Sequence, residues 1–407
     1  MTHQAIDDDL LAPAVIADPY SYYGRIRDAE PVYWNERWGG WLITRYDDVL
    51  AAFRDHQRFS SDRMASLSAE LPPADRERFA LLIKYLAKWF VFADPPYHTR
   101  ARMLVNKAFT PTSAERLRSR TRAIIDGMLA EAKARGSMEF VTEFAQHLPV
   151  IVISEYLGVP VEDRMLIKQW SEEISGIFFI KANDPDRRAR SQRGLESLVR
   201  YFEPLVRERR ARPQDDLISA LVQAEERGDL LSEEEVLATC TLLLFAGHES
   251  TTFTLVNGLL ALLRHPDQWN RLRAEPGLIK TAADEILRYD GTVKATFRSI
   301  REPFELRGKQ LRAGDRALLV LASANRDPAK FPDPDRFEIT RSPNPHLAFG
   351  NGIHICIGAP LARLELQETF LALAAELPNL RLATDSVEYQ PTIVNRAATA
   401  LPIAWDA

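Results

Sequence analysis

The segment from Ser232 to Arg264 constrains the fold more than any other. Ser232 followed three residues later by Glu235 is a capping-box signature, and a helical pattern then runs to Arg264, just ahead of Pro266. Such a helix is roughly 45 Å long. Leu242, Leu243, Leu244, Phe245, Leu255, Val256, Leu259 and Leu260 leave it no clean polar side, which marks a helix buried all round. It needs partners on every flank, so the chain is expected to be a large, mainly α-helical protein wrapped around it. Into its middle the sequence inserts Gly247-His248-Glu249-Ser250-Thr251-Thr252. An acid and hydroxyls in apolar surroundings are costly unless paired or hydrated. Two accounts fit: hydroxyls bonded back to preceding carbonyls, or a helix distortion that holds water.

A second constraint lies near the C-terminus, in Phe349-Gly350-Asn351-Gly352-Ile353-His354-Ile355-Cys356-Ile357-Gly358. Two glycines before the cysteine and one after it suit a tight loop whose backbone approaches something flat. Pro360 then suits a first helical turn, and Leu366, Phe370, Leu373 and Leu377 recur at helical spacing up to Pro378. Cys356 is therefore expected just ahead of a helix N-terminus. Free amides and the positive end of the dipole there favour the thiolate, the form of sulfur that binds metal. A buried structural thiol is the alternative for a lone cysteine, and the surrounding spacing decides against it.

Phe-Gly-x-Gly-x-His-x-Cys-x-Gly resembles the haem-binding loop of the cytochrome P-450 superfamily, in which a cysteine thiolate ligates the iron. The resemblance implies that Cys356 is the metal ligand and that Phe349, Gly350, His354 and Gly358 belong to the site of haem b (iron protoporphyrin IX). Ala246-Gly247-His248-Glu249-Ser250-Thr251 resembles the distal-helix motif of the same family, Ala-Gly-x-Asp/Glu-Thr. This implies that Ala246 lies against the haem and that Glu249 and an alcohol deliver protons during oxygen activation. The alcohol position is Ser250, where Thr is usual; serine keeps the hydroxyl but loses the methyl and its rotamer restraint. Thr251 is the second candidate, and His248 has no catalytic role in this reading.

Other segments add to the set. His98 and Arg102, four apart on a helix expected after Pro95-Pro96, share one face and suit an anion. By the resemblance they bind haem propionates, as does Arg298 on a strand expected over Val293 to Ile300. Glu285 and Arg288 have the spacing of a helical ion pair. Their order before Phe331-Pro332-Asp333-Pro334-Asp335-Arg336-Phe337 resembles the family's Glu-x-x-Arg pair, with Arg336 as its structural third partner. Where many bacterial relatives have Pro-Val-Gln, this chain has Thr292-Val293-Lys294, so Lys294 is expected either to anchor an acidic or polar group of the substrate or to snorkel to solvent. Leu242, Phe245, Ala246, Val293 and Ile393 are candidates for the substrate pocket, with core packing as their alternative. Ile177-Phe178-Phe179-Ile180, before a turn at Asn183-Asp184-Pro185, falls where the family has a mobile lid.

At the other end, Val32-Tyr33-Trp34 and Trp41-Leu42-Ile43-Thr44 flank Gly39-Gly40 and read as a β-hairpin. No Gly/Ser-rich linker divides the 407 residues. The expectation is one catalytic domain over 1–407, mainly α with small β-sheets, with the cytochrome P-450 fold built around a long central helix and a haem. Asp7-Asp8-Asp9 stands where a signal peptide would be basic and then apolar, so a cytoplasmic protein is expected. No apolar run approaches the roughly 20 residues of a membrane span. Cys240 and Cys356 lie in different contexts and are not expected to pair. A net charge of −5 argues against general nucleic-acid binding, and the basic run from Arg116 to Arg122 reads as a solvated helix face.

The resemblance implies a soluble bacterial-type haem-thiolate monooxygenase, expected as a monomer. It would hydroxylate or otherwise oxidise a small lipophilic molecule such as a steroid, terpenoid, fatty acid or secondary metabolite, using O2. No flavin or iron–sulfur motif is present, so electrons are expected from a separate ferredoxin or flavodoxin with its reductase, with Arg363 and Arg100 as candidate contacts for an acidic partner. A peroxide-driven peroxygenase and a non-catalytic haem sensor are the other classes. The retained acid and alcohol favour the monooxygenase.

Overall fold

The capping box forms as the sequence predicts. The Ser232 N–H donates to Glu235 Oε2 at 2.8 Å, and the Glu235 N–H donates to Ser232 Oγ at 3.3 Å. From this cap the long helix runs over Glu233–Arg264 and stops at His265, ahead of Pro266. The computed structural model describes residues 6–64, 72–175, 186–226 and 228–406. The lid segment Ile177 to Ile180 and the turn at Asn183 to Pro185 lie outside the described residues.

Eight helices position the site: α1 (Tyr97–Ala108), α2 (Arg118–Lys133), α3 (Leu148–Leu157), α4 (Arg164–Ser175), α5 (Arg187–Ala211), the long helix α6 (Glu233–Arg264), α7 (Ile279–Asp290) and α8 (Ala359–Glu376). α6 meets two of them closely at Gly258, where a side chain would put its Cβ 2.8 Å from both Ile286 of α7 and Phe370 of α8. Glycine is what lets three buried helices meet there. The basic run on α2 is tied down by acids: Arg118 pairs with Glu115 and Glu368, and Arg122 with Asp126.

The aromatic hairpin is present as β1 (Val32–Asn35) and β2 (Gly40–Ile43), with Trp34 opposite Trp41 and their rings edge-on at 5.1 Å. They join β3 (Phe59–Ser60), β4 (Thr296–Ile300) and β5 (Arg316–Leu319) in a five-stranded sheet of order β1-β2-β5-β4-β3. Only β5 on β2 is parallel; the other pairs are antiparallel. The strand expected from Val293 begins three residues later, because Val293 forms an isolated bridge to Asn395 instead of a ladder. A three-stranded sheet, Arg381–Leu382, Pro402–Ala404 and Ser137–Glu139, lies apart from this one. Among the described residues no helix is long and apolar enough to cross a membrane.

Candidate functional site

The long helix carries a window. From Glu235 to Leu262 every residue is buried except Phe245, Ala246, Gly247, Glu249 and Ser250. Steps of one, four and five put Ala246, Glu249 and Ser250 beside Phe245 on one side of the helix. Ser250 donates its hydroxyl to the Ala246 carbonyl at 2.8 Å, the local back-bond that sequence allowed for. Thr251 is 4% exposed, so of the two alcohols it is Ser250 that faces the window. Thr252 bonds to the carbonyls of Ala145 and His248 and acts as a helix-to-helix fastener. His248 turns away to Ser171 Oγ at 3.4 Å, and burial pulls its pKa down to about 4.

The cysteine loop is built on glycine geometry. Gly350 and Gly352 both have φ of +69°, and at Gly352 a Cβ would lie 2.3 Å from the Phe53 carbonyl oxygen. The Gly350 N–H donates to the Leu347 carbonyl, and the Cys356 N–H donates to the Phe349 carbonyl at 2.9 Å. Cys356 keeps accessible surface although it sits deep in the protein, and it heads α8 as predicted. Burial pushes the thiol up. The N–H groups of Gly358 and Ala359 and the guanidiniums of Arg102 and Arg363 pull it down without winning. The helix-end amides act in the direction that the sequence argument expects, and coordination to a metal would remove the proton. Cys240 is a buried free thiol pushed up by desolvation.

Four predicted basic residues come together around this loop. Arg102 Nη2 donates to the Ile355 carbonyl at 2.6 Å, and the His98 and His354 rings stand 4.1 Å apart. Arg298, on β4, lies over the Phe53 ring at 5.5 Å, and Phe53 is the residue on which Gly352 rests. Both ring nitrogens of His98 and Nε2 of His354 are buried and have no hydrogen-bond partner among the described residues. Burial, with Arg102 second, pulls the His98 pKa down to about 4. Unpaired donors beside two guanidiniums are what the acid groups of a haem would satisfy, so the residues fit that cofactor. Phe349 supports the loop from below, with the Arg363 guanidinium 4.6 Å from its ring.

Behind the loop, the Glu285–Arg288 pair is fully buried and bidentate, with N···O distances of 2.7 and 2.8 Å. Arg336 is not its third partner through its side chain, which is 66% exposed and bound to Glu338. It contributes only its carbonyl, to Arg288 Nη2 at 3.1 Å. The further side chains that reach Glu285 are Arg341 and Asn344, each at 3.2 Å, residues that sequence reasoning missed because their spacing matched no motif.

Other expectations are corrected. Lys294 neither snorkels nor offers its charge to a ligand: it is 2% exposed, and Nζ donates to the Thr392 carbonyl at 2.7 Å. Burial, then Arg396, pulls its pKa down to about 7. Ile393 packs in a core cluster with Leu42, Ala295 and Leu318, and Leu242 is 4% exposed. Phe245, Ala246 and Val293 are the wall candidates that keep accessible surface. The candidate partner contacts are partly exposed and paired within the chain, Arg100 with Asp229 and Glu235 and Arg363 with Asp284 at 2.7 Å. A further cation that sequence did not single out is Arg63, in the irregular stretch after β3; the absence of any periodic pattern there hid it.

A family model described as Cytochrome P450 matches residues 67–404. Cytochrome P450 monooxygenase PikC of Streptomyces venezuelae is 40% identical over 409 residues, covering 98% of this chain and 94% of that protein. Vitamin D(3) 25-hydroxylase of Pseudonocardia autotrophica is 37% identical over 405 residues, covering 97% of this chain and 96% of its own. The crystal structure of P450BioI in complex with hexadec-9Z-enoic acid ligated acyl carrier protein matches with a TM-score of 0.88 and 34% identity, over 97% of this chain and 99% of that one. With its cysteine loop, window helix and buried Glu285–Arg288 pair set beside these matches, the chain belongs to the cytochrome P450 family.

Proposed function

We propose that the chain is a haem-thiolate monooxygenase that inserts one oxygen atom from O2 into a small lipophilic molecule, working as one catalytic domain in the cytoplasm. The observation that carries this reading is the cluster at Cys356: buried, unpaired nitrogens of His98 and His354 beside Arg102, at the loop that presents the sulfur. Haem b, when bound, supplies the redox iron at which dioxygen is activated.

The chain's own residues do the rest. Cys356 would hold the iron as its thiolate, presented by the loop that Gly350 and Gly352 shape. His98, Arg102, Arg298 and His354 would hold the acid groups of the haem. Glu249 and Ser250 sit in the window of α6, where an acid and a hydroxyl can pass protons inward. Ser250 needs only to turn from the Ala246 carbonyl to serve as donor toward the site. Phe245 and Val293 give an apolar wall that favours a lipophilic substrate over a charged one. PikC, a vitamin D(3) hydroxylase and an acyl-carrier-bound fatty-acid complex among the relatives support that class without choosing within it. Electrons come from a ferredoxin or flavodoxin with its reductase.

The test is reconstitution of the purified holoprotein with a ferredoxin and its reductase, after a compound library has been screened for the haem absorbance shift that substrate causes. Hydroxylated product that depends on the reductant is expected. Turnover with hydrogen peroxide exceeding that with ferredoxin, or oxygen consumption without product from every spectral hit, would overturn the reading. Cys356→Ala should abolish the thiolate-type band of the reduced carbon monoxide complex.

A further inference from the structure

Past the end of β3, Arg63 enters the protein between two aromatic rings, 4.9 Å from Phe92 and 5.1 Å from Phe297. Its Nη2 donates to Thr296 Oγ1 at 3.3 Å, and its Nε is buried with no partner. Arg298 Nη1 reaches the same hydroxyl at 3.5 Å and the Phe297 carbonyl at 2.7 Å. Two guanidiniums thus converge on one neutral oxygen. Burial, with the Arg298 charge second, pulls the Arg63 pKa down to about 9, and burial pulls Arg298 down to about 10. Among the described residues no carboxylate bonds to either. The nearest acid acting on Arg298, Asp94, already accepts from Ser60, Ser61 and Arg301.

Two neighbouring like charges, Arg298 buried and Arg63 half-buried, are an expensive arrangement that ring contacts and neutral oxygens only partly offset. A guanidinium presents a flat fork of donors that matches a carboxylate, and two forks can close on one. Sequence reading expected one arginine here; the structure supplies two. Both also line a cavity of about 420 Å3 shared with Trp34, Gly39, Asp315 and Arg316, in which the Asp315 carboxylate is engaged by Trp41 Nε1 and the Arg312 N–H, so an outside acid group has room to reach the two arginines.

We propose that Arg63 is a carboxylate-binding residue of the site, closing with Arg298 on one carboxylate, either a haem propionate or the acid group of a substrate. The inference rests on the haem-thiolate reading. Arg63 adds a second cation at the edge that Arg298 shares with His354, so it is placed to hold an anion and not to take part in bond making.

The test uses the holoprotein with Arg63→Gln and Arg63→Lys. Haem transfer to apomyoglobin and the reduction potential read the propionate. The haem spectral shift with a long-chain fatty acid, against the same chain as its methyl ester, reads the substrate. A propionate partner predicts that Arg63→Gln speeds haem transfer about tenfold and shifts the potential, with acid and ester affected alike. A substrate partner predicts about tenfold weaker binding of the acid, with the ester and haem transfer unchanged. In either case Arg63→Lys keeps part of the effect, and the thermal midpoint stays near wild type. The proposal is overturned if Arg63→Gln moves neither readout, or if both variants lose haem, ligand binding and thermal stability together. Failure of the haem-thiolate reading would show separately, as a wild-type carbon monoxide complex without the thiolate band.

Discussion

Single side chains here divide by what burial does to them. Ser250 and Thr251 are neighbours with the same chemistry, yet one faces the window of α6 and the other is packed away. Ser250→Ala should therefore lower product formed per electron pair by about a hundredfold, the low end of what a lost proton donor costs. Thr251→Ala should leave that ratio close to wild type, and the reverse order would move the relay to Thr251. Lys294 shows burial acting on a charge. Its folded pKa, about 7, lies below the ordinary value of 10.5. Between those two values the unfolded chain binds the proton that the folded one has lost, so stability rises with pH across that window. Measured by denaturation, wild type should gain on Lys294→Met from pH 7 toward pH 10, by at most roughly 1.4 kcal/mol per pH unit. A difference that is flat with pH would mean that Lys294 stays charged in the folded protein.

Elements are held at distances set by single small residues. α6 is apolar on all sides, so its place depends on fit more than on charge. Gly258 marks a tight point, between Ile286 and Phe370. Gly258→Ala should destabilise the protein by about 1–3 kcal/mol, because α7 or α8 must move to admit one methyl group. Thermal unfolding checks this, with Gly127→Ala as the comparison, since a Cβ there meets nothing within 4 Å. If the two variants melt alike, the three helices are not as closely fitted as the distances say. The same contrast explains what sequence could show about α6. Its length, cap and buried character were legible from pattern, whereas the contact at Gly258 joins residues far apart in the chain and has no local signature.

At the scale of the whole molecule, bonds connect α7 to the cysteine loop. Arg288 donates to the Asn325 carbonyl, Asn325 Oδ1 accepts from the Leu347 N–H, and the Leu347 carbonyl accepts from the Gly350 N–H. The loop that carries Cys356 is thus tied, through three hydrogen bonds, to a buried ion pair. Sequence motifs placed both ends of this path correctly: Cys356 ahead of α8, and Glu285 with Arg288 on α7. They also brought His98, Arg102, Arg298 and His354 to one place. What they missed are residues in irregular backbone, Arg63 and Arg341, where no periodicity assigns a side chain to a face. Arg336 was chosen by motif order, but the backbone between Phe331 and Phe337 turns its side chain out and leaves its carbonyl inward. The energetic ranking of three arginines follows. Arg288→Ala leaves Glu285 as an uncompensated buried charge and should cost about 3–5 kcal/mol, enough to prevent recovery of haem-loaded protein. Arg341→Ala removes one hydrogen bond to that carboxylate and others to the Pro332, Asp333 and Arg336 carbonyls, and should cost about 1–3 kcal/mol. Arg336→Ala removes an exposed side chain and should stay within about 0.5 kcal/mol of wild type. Thermal midpoints and haem content of the three purified variants give the order directly. If Arg336→Ala proves as damaging as Arg341→Ala, the side chain of Arg336 closes the network after all, and the path from α7 to Cys356 runs through a different arginine.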